Sequence, residues 1–314
     1  MATTLYHARV GAIDHKAYAS LYNKTFDAIK VKSEKVPREG ARFFSERTTN
    51  LETYREGEVH PQLPAPMRNE DSDRIPLLNP LEGYYQTWTN VERRSGFIVT
   101  ERAITAQKTR AIAKMLTGLP NSAKRCEEMA YAKLFNGGFA TDTGGDGTYL
   151  FATDHPYVDP QYGTWSNAAA SGAGFTSATW YAAWLNLAQR KDARYNPDPM
   201  MPAECYFPVA MYEDVAKVHG SAKYPANALN AEQADLFHDF KMVPGYWLTS
   251  STQWYVHAKV DDADKGLVVV WETKPNYKPL SDGMNPDIIM GRRLKMTFSV
   301  GGLILKDWYA NIGS

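Results

Sequence analysis

Asp146, Asp154, His155 and Asp159 crowd into one stretch, DGTYLFATDHPYVDPQYGTWSNA, residues 146–168. Carboxylates beside a histidine support three kinds of chemistry. They can ligate a hard metal ion, supply the acid and base of a hydrolytic triad, or hold an irregular loop together by hydrogen bonds. Residue types alone leave all three open.

Spacing separates them. A calcium loop needs oxygen ligands at positions 1, 3, 5 and 12 and a glycine at position 6. Counted from Asp142, acids stand at positions 1 and 5 and Gly147 at position 6, but Gly144 takes position 3 and Thr153 takes position 12. The bidentate ligand is missing, so no metal is expected. A triad needs a positioned nucleophile. The chain has no G-x-S-x-G elbow, no H-E-x-x-H, no phosphate-binding loop and no G-x-G-x-x-G. Cys126 falls on an apolar helix face and Cys205 in a strand, which is how small buried hydrophobes are placed. The remaining residues of the stretch are turn formers, and a buried His or Asp in such a loop ordinarily satisfies backbone groups. We therefore expect no catalytic residue, metal or cofactor. A hydrolase built on His155 is the alternative of a different class.

The elements around this stretch mix helix and strand without a regular βαβ alternation, which makes the class α+β. Residues 1–10 lack periodicity. From Asp14, Tyr18, Leu21, Tyr22, Phe26 and Ile29 recur at helix spacing. Residues 50–99 carry two β-type segments around the polar tip APMRNEDSD. They spell a long hairpin whose strands are too polar to be buried on both faces, and a lone two-stranded hairpin is marginal in water. Residues 101–135 are the strongest helical stretch. Ile104, Ala111, Ile112, Met115 and Leu116 form one apolar stripe, and Gly118 and Pro120 are expected to interrupt it. Asn121 can cap a second part with Cys126, Met129, Ala130, Leu134 and Phe135 on one face. Lys108, Arg110, Lys114, Lys124, Arg125 and Lys133 fall on the polar side, as a DNA-facing surface or an ordinary solvated face. A helix follows from Ser177, and YNPDPMMP is a candidate domain boundary. AECYFPV, GYWLTSSTQWYVHAKV and GLVVVWETK read as strands. The last segment reads as two strands joined at Gly301-Gly302.

Composition sets outer bounds. The 314 residues are 44% hydrophobic and 22% charged, as in ordinary folded domains. Lys and Arg total 35 and so do Asp and Glu, which argues against a dedicated nucleic-acid binder but not against one basic face. Two cysteines do not make a disulfide framework, and a reducing compartment is the simple expectation. No apolar run approaches the ~20 residues of a membrane span, and no secretory signal is visible. The start at Met1 leads us to expect no removed N-terminal propeptide. Nineteen tyrosines and eight tryptophans cluster in the hairpin and the last third, and aromatic residues are what large protein interfaces use.

A set of segments recurs in order: GFIVTERAI, MAYAKLFNGGFA, DGTYLFATDHPYVDPQYGTWSNAA, LAQRKDARYNPDPMMPAECYFPV, EDVAKVHGSAKYPANALNAEQ, MVPGYWLTSSTQWYVHA and MTFSVGGLILKDWYANIGS. Over roughly residues 40–314 this resembles the major capsid proteins of tailed bacteriophages with the Hong Kong 97-type fold. The resemblance implies an N-terminal arm (1–45), an extended E-loop hairpin (46–95), a peripheral P-domain with its spine helix (96–199), an axial A-domain (200–265), and C-terminal strands returning to the peripheral domain (266–314). It implies many copies of the chain arranged as pentamers and hexamers in an icosahedral shell, assembled in the host cytoplasm. It also implies a separate scaffolding protein, a portal, a decoration protein, and packaged double-stranded DNA bound without sequence preference. An encapsulin-like compartment shell shares the fold and is the nearer alternative. On this view residues 146–168 are a structural loop of the P-domain. The intersubunit contacts would come from hairpin charges: Arg55, Glu56, Glu58, Arg68, Glu70, Asp71, Asp73 and Arg74.

One asymmetry bears on this resemblance. No lysine lies between Lys35 and Lys108, where nine arginines do. The family's type member joins a hairpin lysine to an asparagine of another subunit, and that isopeptide bond needs an amine nucleophile. Guanidinium groups stay protonated and do not replace it.

Overall fold

The computed structural model describes residues 20, 24–29, 39–60, 81–100, 102–103, 109–219, 240–280 and 288–313. The chain divides into two units. The first is Met1–Pro37, Val91–Glu127 and Thr273–Thr297; the second is Arg38–Asn90, Glu128–Glu272 and Phe298–Ser314. Helix α1 (Thr109–Gly137) and strands β10 (Leu267–Pro279) and β11 (Ile288–Gly302) run from one unit into the other.

The centre of the second unit is a four-stranded sheet in the order β12-β9-β7-β8. Its strands are β7 (Pro202–Pro208), β8 (Lys241–Gly245), β9 (Trp254–Ala258) and β12 (Trp308–Asn311). All of β9 and β12 is buried, which explains why these strands show no alternation in sequence. On one face, Cys205, Phe207, Trp254, Val256 and Ala258 pack with Trp180, Ala183 and Leu187 of α2 (Ser177–Ala188) and Val215 and Val218 of α3 (Tyr212–His219). Thr176 caps α2 in a reciprocal box with Thr179. On the other face, Phe135 from the end of α1 sits 4.9 Å from Tyr206, 5.0 Å from Tyr255 and 5.1 Å from Trp308, ring centre to ring centre, in edge-on geometry. Phe43 joins this cluster 5.0 Å from Trp308. Burial raises the hydroxyl pKa of both Tyr206 and Tyr255, and the Tyr255 hydroxyl donates to the Phe135 carbonyl at 2.8 Å.

A second four-stranded sheet has the order β1-β10-β11-β4, with β1 (Ser45–Thr48) parallel to the start of β10 and β4 (Val91–Thr100) at the far edge. In the first unit, the helical residues 24–29 press Phe26 against Phe97 of β4 and Tyr277 of β10 at 6.5 and 5.6 Å. The Arg292 guanidinium caps the Phe26 ring at 5.0 Å and reaches Asp27 at 3.7 Å.

Among the described residues, the hairpin strands β2 (Thr53–His60) and β3 (Leu81–Thr89) pair only with each other. Along β2 exposed and half-exposed residues alternate strictly, and nothing in that strand is buried. The ribbon is fixed at its base. Trp88 packs with Val268, Val270 and Leu303, with Tyr54 stacked beside it. Gly301 makes this possible, because a Cβ there would collide with the Trp88 ring. Strands β1 and β4, which flank the ribbon in sequence, belong to the second sheet. The tip, residues 61–80, lies outside the described residues.

Three expectations are corrected. The helix is not interrupted: α1 runs unbroken from Thr109 to Gly137 with Pro120 inside it. Its buried side is Ile112, Leu116, Leu119, Ala123, Glu127, Tyr131 and Phe135, one stripe that keeps its phase across the proline. A break at residues 118–120 would throw the two halves out of register. Of the expected faces Ile112, Leu116, Leu134 and Phe135 are buried, but Met115 and Met129 are exposed. The expected strand GYWLTSSTQWYVHA is also shorter than its β-rich composition suggests. Residues 246–253 form turns and loop, because Asn136 binds their backbone from the end of α1, donating to the Trp247 carbonyl and accepting from Thr249 N–H.

Candidate functional site

The stretch that opened the sequence folds as two tight turns around a two-strand bridge, β5 (His155–Pro156) with β6 (Thr164–Trp165). Gly147 adopts φ 81, a left-handed turn that glycine takes without strain. This turn brings Asp146 and Thr148 back onto His155. Asp159 caps the short helical turn Pro160–Tyr162 through Gln161 N–H, so it serves the backbone alone. Asp154 is exposed.

His155 is buried, with both ring nitrogens engaged. Nδ1 lies 2.6 Å from Asp146 Oδ2 and 2.8 Å from Thr148 Oγ1; Nε2 lies 3.0 Å from Asn167 Oδ1. The amide of Asn167 cannot turn over. Its Nδ2 donates to the Leu150 and Leu305 carbonyls, and its Oδ1 accepts from Ala152 N–H. Nε2 must therefore donate. Both ring nitrogens are thus occupied within the network, Nδ1 by the Asp146 carboxylate and Nε2 by the Asn167 amide oxygen. The Asp146 carboxyl feels burial, which alone would raise its pKa. The hydrogen bond and charge of His155 and the bonds from Thr148 outweigh that and hold it below the ordinary carboxylate value.

This arrangement has the members of a triad but not its geometry. In a triad the nucleophile and the acid bind opposite ring nitrogens. Here Thr148 and Asp146 share Nδ1, and Nε2 is closed off by an amide. The ring is also covered by Trp165, stacked at 4.6 Å. What the pair does is join three loop segments. Among the described residues, no group of three or more His, Cys, Asp or Glu is placed to hold a metal ion.

Arg190, which the sequence did not single out, closes the same region from the other side. It is buried, and its two terminal nitrogens donate to the Ser166 and Trp308 carbonyls at 2.8 Å each. Its plane lies 4.7 Å over Trp165. Burial pulls its pKa down to about 9, against the opposing charge of Asp307, so it stays charged at neutral pH. The loop after it is bound in turn. Asp192 accepts from Arg194 N–H and Asn196 N–H, which holds Tyr195 at φ 66 with its ring stacked 4.7 Å from Tyr162. The quoted RKDARYN segment held the signal, since Asp and Asn at that spacing are turn residues. Nothing local marked Arg190 as buried.

The hairpin residues have partners within the chain. Glu56 pairs with Arg47 at 3.1 Å, Glu58 with His60 at 3.1 Å, and Arg55 lies 3.7 Å over the Tyr85 ring. Arg68, Glu70, Asp71, Asp73 and Arg74 fall outside the described residues. On α1, Lys114, Arg125 and Lys133 are exposed and Lys124 half-buried; Lys108 and the Arg110 side chain lie outside the described residues. Cys205 is buried, which pushes its thiol pKa well up, and Cys126 is half-buried.

An arrangement of a long helix, two mixed sheets and an uncovered two-stranded ribbon has close structural counterparts. The procapsid protein of bacteriophage JBD30 superposes over 94% of this chain and 74% of its own, with TM-score 0.53 and 14% identity. The fold is the Hong Kong 97-type capsid fold. A chain of Microbacterium phage Oxtober96 matches as well, over 89% of this chain and 92% of its own with TM-score 0.52 and 9% identity. So does the virus-like particle from Pyrococcus furiosus, over 92% and 98% with TM-score 0.51 and 8% identity. No family model matches the chain, and no curated protein matches it. The His155 network holds loop segments together. No helix among the described residues is long and apolar enough to cross a membrane.

Proposed function

We propose that this chain is the major capsid protein of a tailed bacteriophage, a structural protein without enzymatic activity that assembles as pentamers and hexamers into an icosahedral head around double-stranded DNA. The observation that carries the proposal is the ribbon. In a chain with the Hong Kong 97-type fold, β2 and β3 pair only with each other among the described residues, β2 has no buried residue, and Leu51, Val59 and Tyr85 are exposed. A ribbon of this kind is marginal by itself, and a neighbouring copy is the partner that would cover it. Many weak contacts of this type add up when every subunit both gives and receives one. Arg55, Glu56 and Glu58 on the ribbon, with Arg68, Glu70, Asp71, Asp73 and Arg74 at its tip, would supply its polar rim. A scaffolding protein, a portal and a decoration protein complete the set of partners, in a virion assembled in the host cytoplasm. The packaged DNA would be met by phosphate contacts; the exposed Lys114, Arg125 and Lys133 of α1 are one candidate surface.

Negative-stain electron microscopy of the purified chain tests this. Closed or partial shells are expected; a monodisperse subunit at every concentration would overturn it. The similarity to a virus-like particle from Pyrococcus furiosus, which is not named as a phage head, leaves one second reading, an encapsulin-like compartment shell. Nuclease-protected DNA inside particles from producing cells supports the head, and a protein cargo supports the compartment.

A further inference from the structure

The sheet of the first unit has two unlike faces. One is covered by residues 24–29 through Phe26, Phe97, Tyr277 and Arg292. The other carries an open cleft of about 630 Å³ floored by three strands. Strand β10 contributes Asn276 and Lys278, β11 contributes Arg293 and Lys295, and β4 contributes Arg94 and Ser95. The strand period explains the clustering. Residues two apart on a strand share a face about 7 Å apart, and adjacent strands lie about 4.8 Å apart, so alternate cations on neighbouring strands build a lattice of positive charge. Glu92 compensates part of it, pairing with Arg94 and lying 3.5 Å from Lys295. Among the described residues, Lys278 and Arg293 have no carboxylate partner. In a chain of zero formal net charge, this face is a local excess that repels itself unless something negative covers it.

We propose that this cleft is a second, sequence-independent contact for the phosphate backbone of double-stranded nucleic acid, distinct from the α1 surface. The lining chemistry selects that ligand. Lys, Arg, Ser, Thr and Asn are the side chains that bind phosphate and sugar, and the cleft holds them with Thr273 as the Thr. An acidic protein segment would call for apolar or aromatic anchors, and the one apolar lining residue, Leu294, is itself buried. No group in the lining is arranged to read a base edge. The biological setting rests on the capsid reading; the cleft rests on its own geometry.

The test uses the full chain held as unassembled subunits and a fluorescent 20-base-pair duplex of arbitrary sequence, with affinity measured by anisotropy across a salt series. Each phosphate neutralised contributes about 0.9 to the slope of log affinity against log salt. The triple variant Lys278→Gln, Arg293→Gln, Lys295→Gln is expected to bind at least tenfold more weakly, with the slope reduced by about 3. Lys217→Gln with Lys241→Gln, on the other unit, should bind as the parent does. Asn276→Lys adds a charge to the cleft and should tighten binding and steepen the slope by about 1, which keeps the proposal testable if the triple variant does not fold. Unchanged affinity in the folded triple variant, or no gain from Asn276→Lys, would overturn it. So would loss of binding on Lys114→Gln, Arg125→Gln, Lys133→Gln with the cleft variant unaffected. Displacement of the duplex by polyglutamate as readily as by unlabelled duplex would instead assign the cleft to an acidic protein. Shell formation by the same variants, scored by electron microscopy, reports on the capsid reading separately.

Discussion

His155 Nδ1 stands 2.6 Å from Asp146 Oδ2 inside a loop that exposes neither side chain. A buried His–carboxylate pair in such a place is held by its geometry and by the further bonds with Thr148 and Asn167. Removing one partner strands the other. Asp146→Asn is therefore expected to destabilise the unassembled subunit by about 3–5 kcal/mol, measured by urea denaturation. On the proposed structural role the variant should show no change in hydrolytic activity against ester or peptide substrates; measurable hydrolysis that disappears with His155→Ala would defeat that role.

The same pair sets an acid limit. A carboxyl held below its ordinary value in the folded state favours folding once it is ionised in both states. That stability is present in full above the ordinary value of 3.8 and is lost as pH falls through the lower folded value. Subunit stability should thus decline steeply on the acid side of about pH 4, and the decline should be shallower in Asp146→Asn. A variant with the parent's acid limb would remove Asp146 from the account.

Pro120 sits inside α1 and lacks the N–H that would bond to the Leu116 carbonyl. Replacing it with Ala should restore that bond at the cost of a little buried volume. The expected result is a subunit more stable by about 1–3 kcal/mol, seen as a higher urea midpoint. A loss of stability would mean that the proline's packing outweighs the missing bond.

The ribbon makes a prediction that separates folding from assembly. Deleting Pro64 to Asp73 removes its polar tip but leaves the Trp88 anchor at its base. The subunit should keep its circular dichroism and melting behaviour while shells fail to form or form aberrantly. Normal shells from the deletion would show that the tip is dispensable.

Mature particles boiled in detergent should release one band at 35.2 kDa. The lysine-free span from Lys35 to Lys108 offers no amine on the ribbon for isopeptide chemistry. A ladder of covalent multimers would refute this.

Some of the protein is written locally. The turn formers around Asp146 and Asp159, the strands of residues 202–208 and the half-polar pattern of β2 could be read because each is a short-range property of the chain. The absence of hairpin lysine needs no fold at all. Other features belong to contacts between segments far apart in sequence. Met115 and Met129 look like core residues, yet the buried side of α1 follows Leu119, Glu127 and Tyr131, because Phe44 lies 4.5 Å from Tyr131 and Phe135 faces the central sheet. A helix rich in Ala, Met and Lys permits several stripes, and only its neighbours choose one. Pro120 looked like a stop because propensity is local, whereas the continuous burial on both sides of it is not. The closure of His155 Nε2 requires Asn167, whose amide is oriented by Leu305 from the far end of the chain. The cationic cleft is likewise invisible in a net charge of zero. It exists because strand pairing sets Arg293 and Lys295 beside Arg94 and Lys278, and pairing partners are decided by the fold.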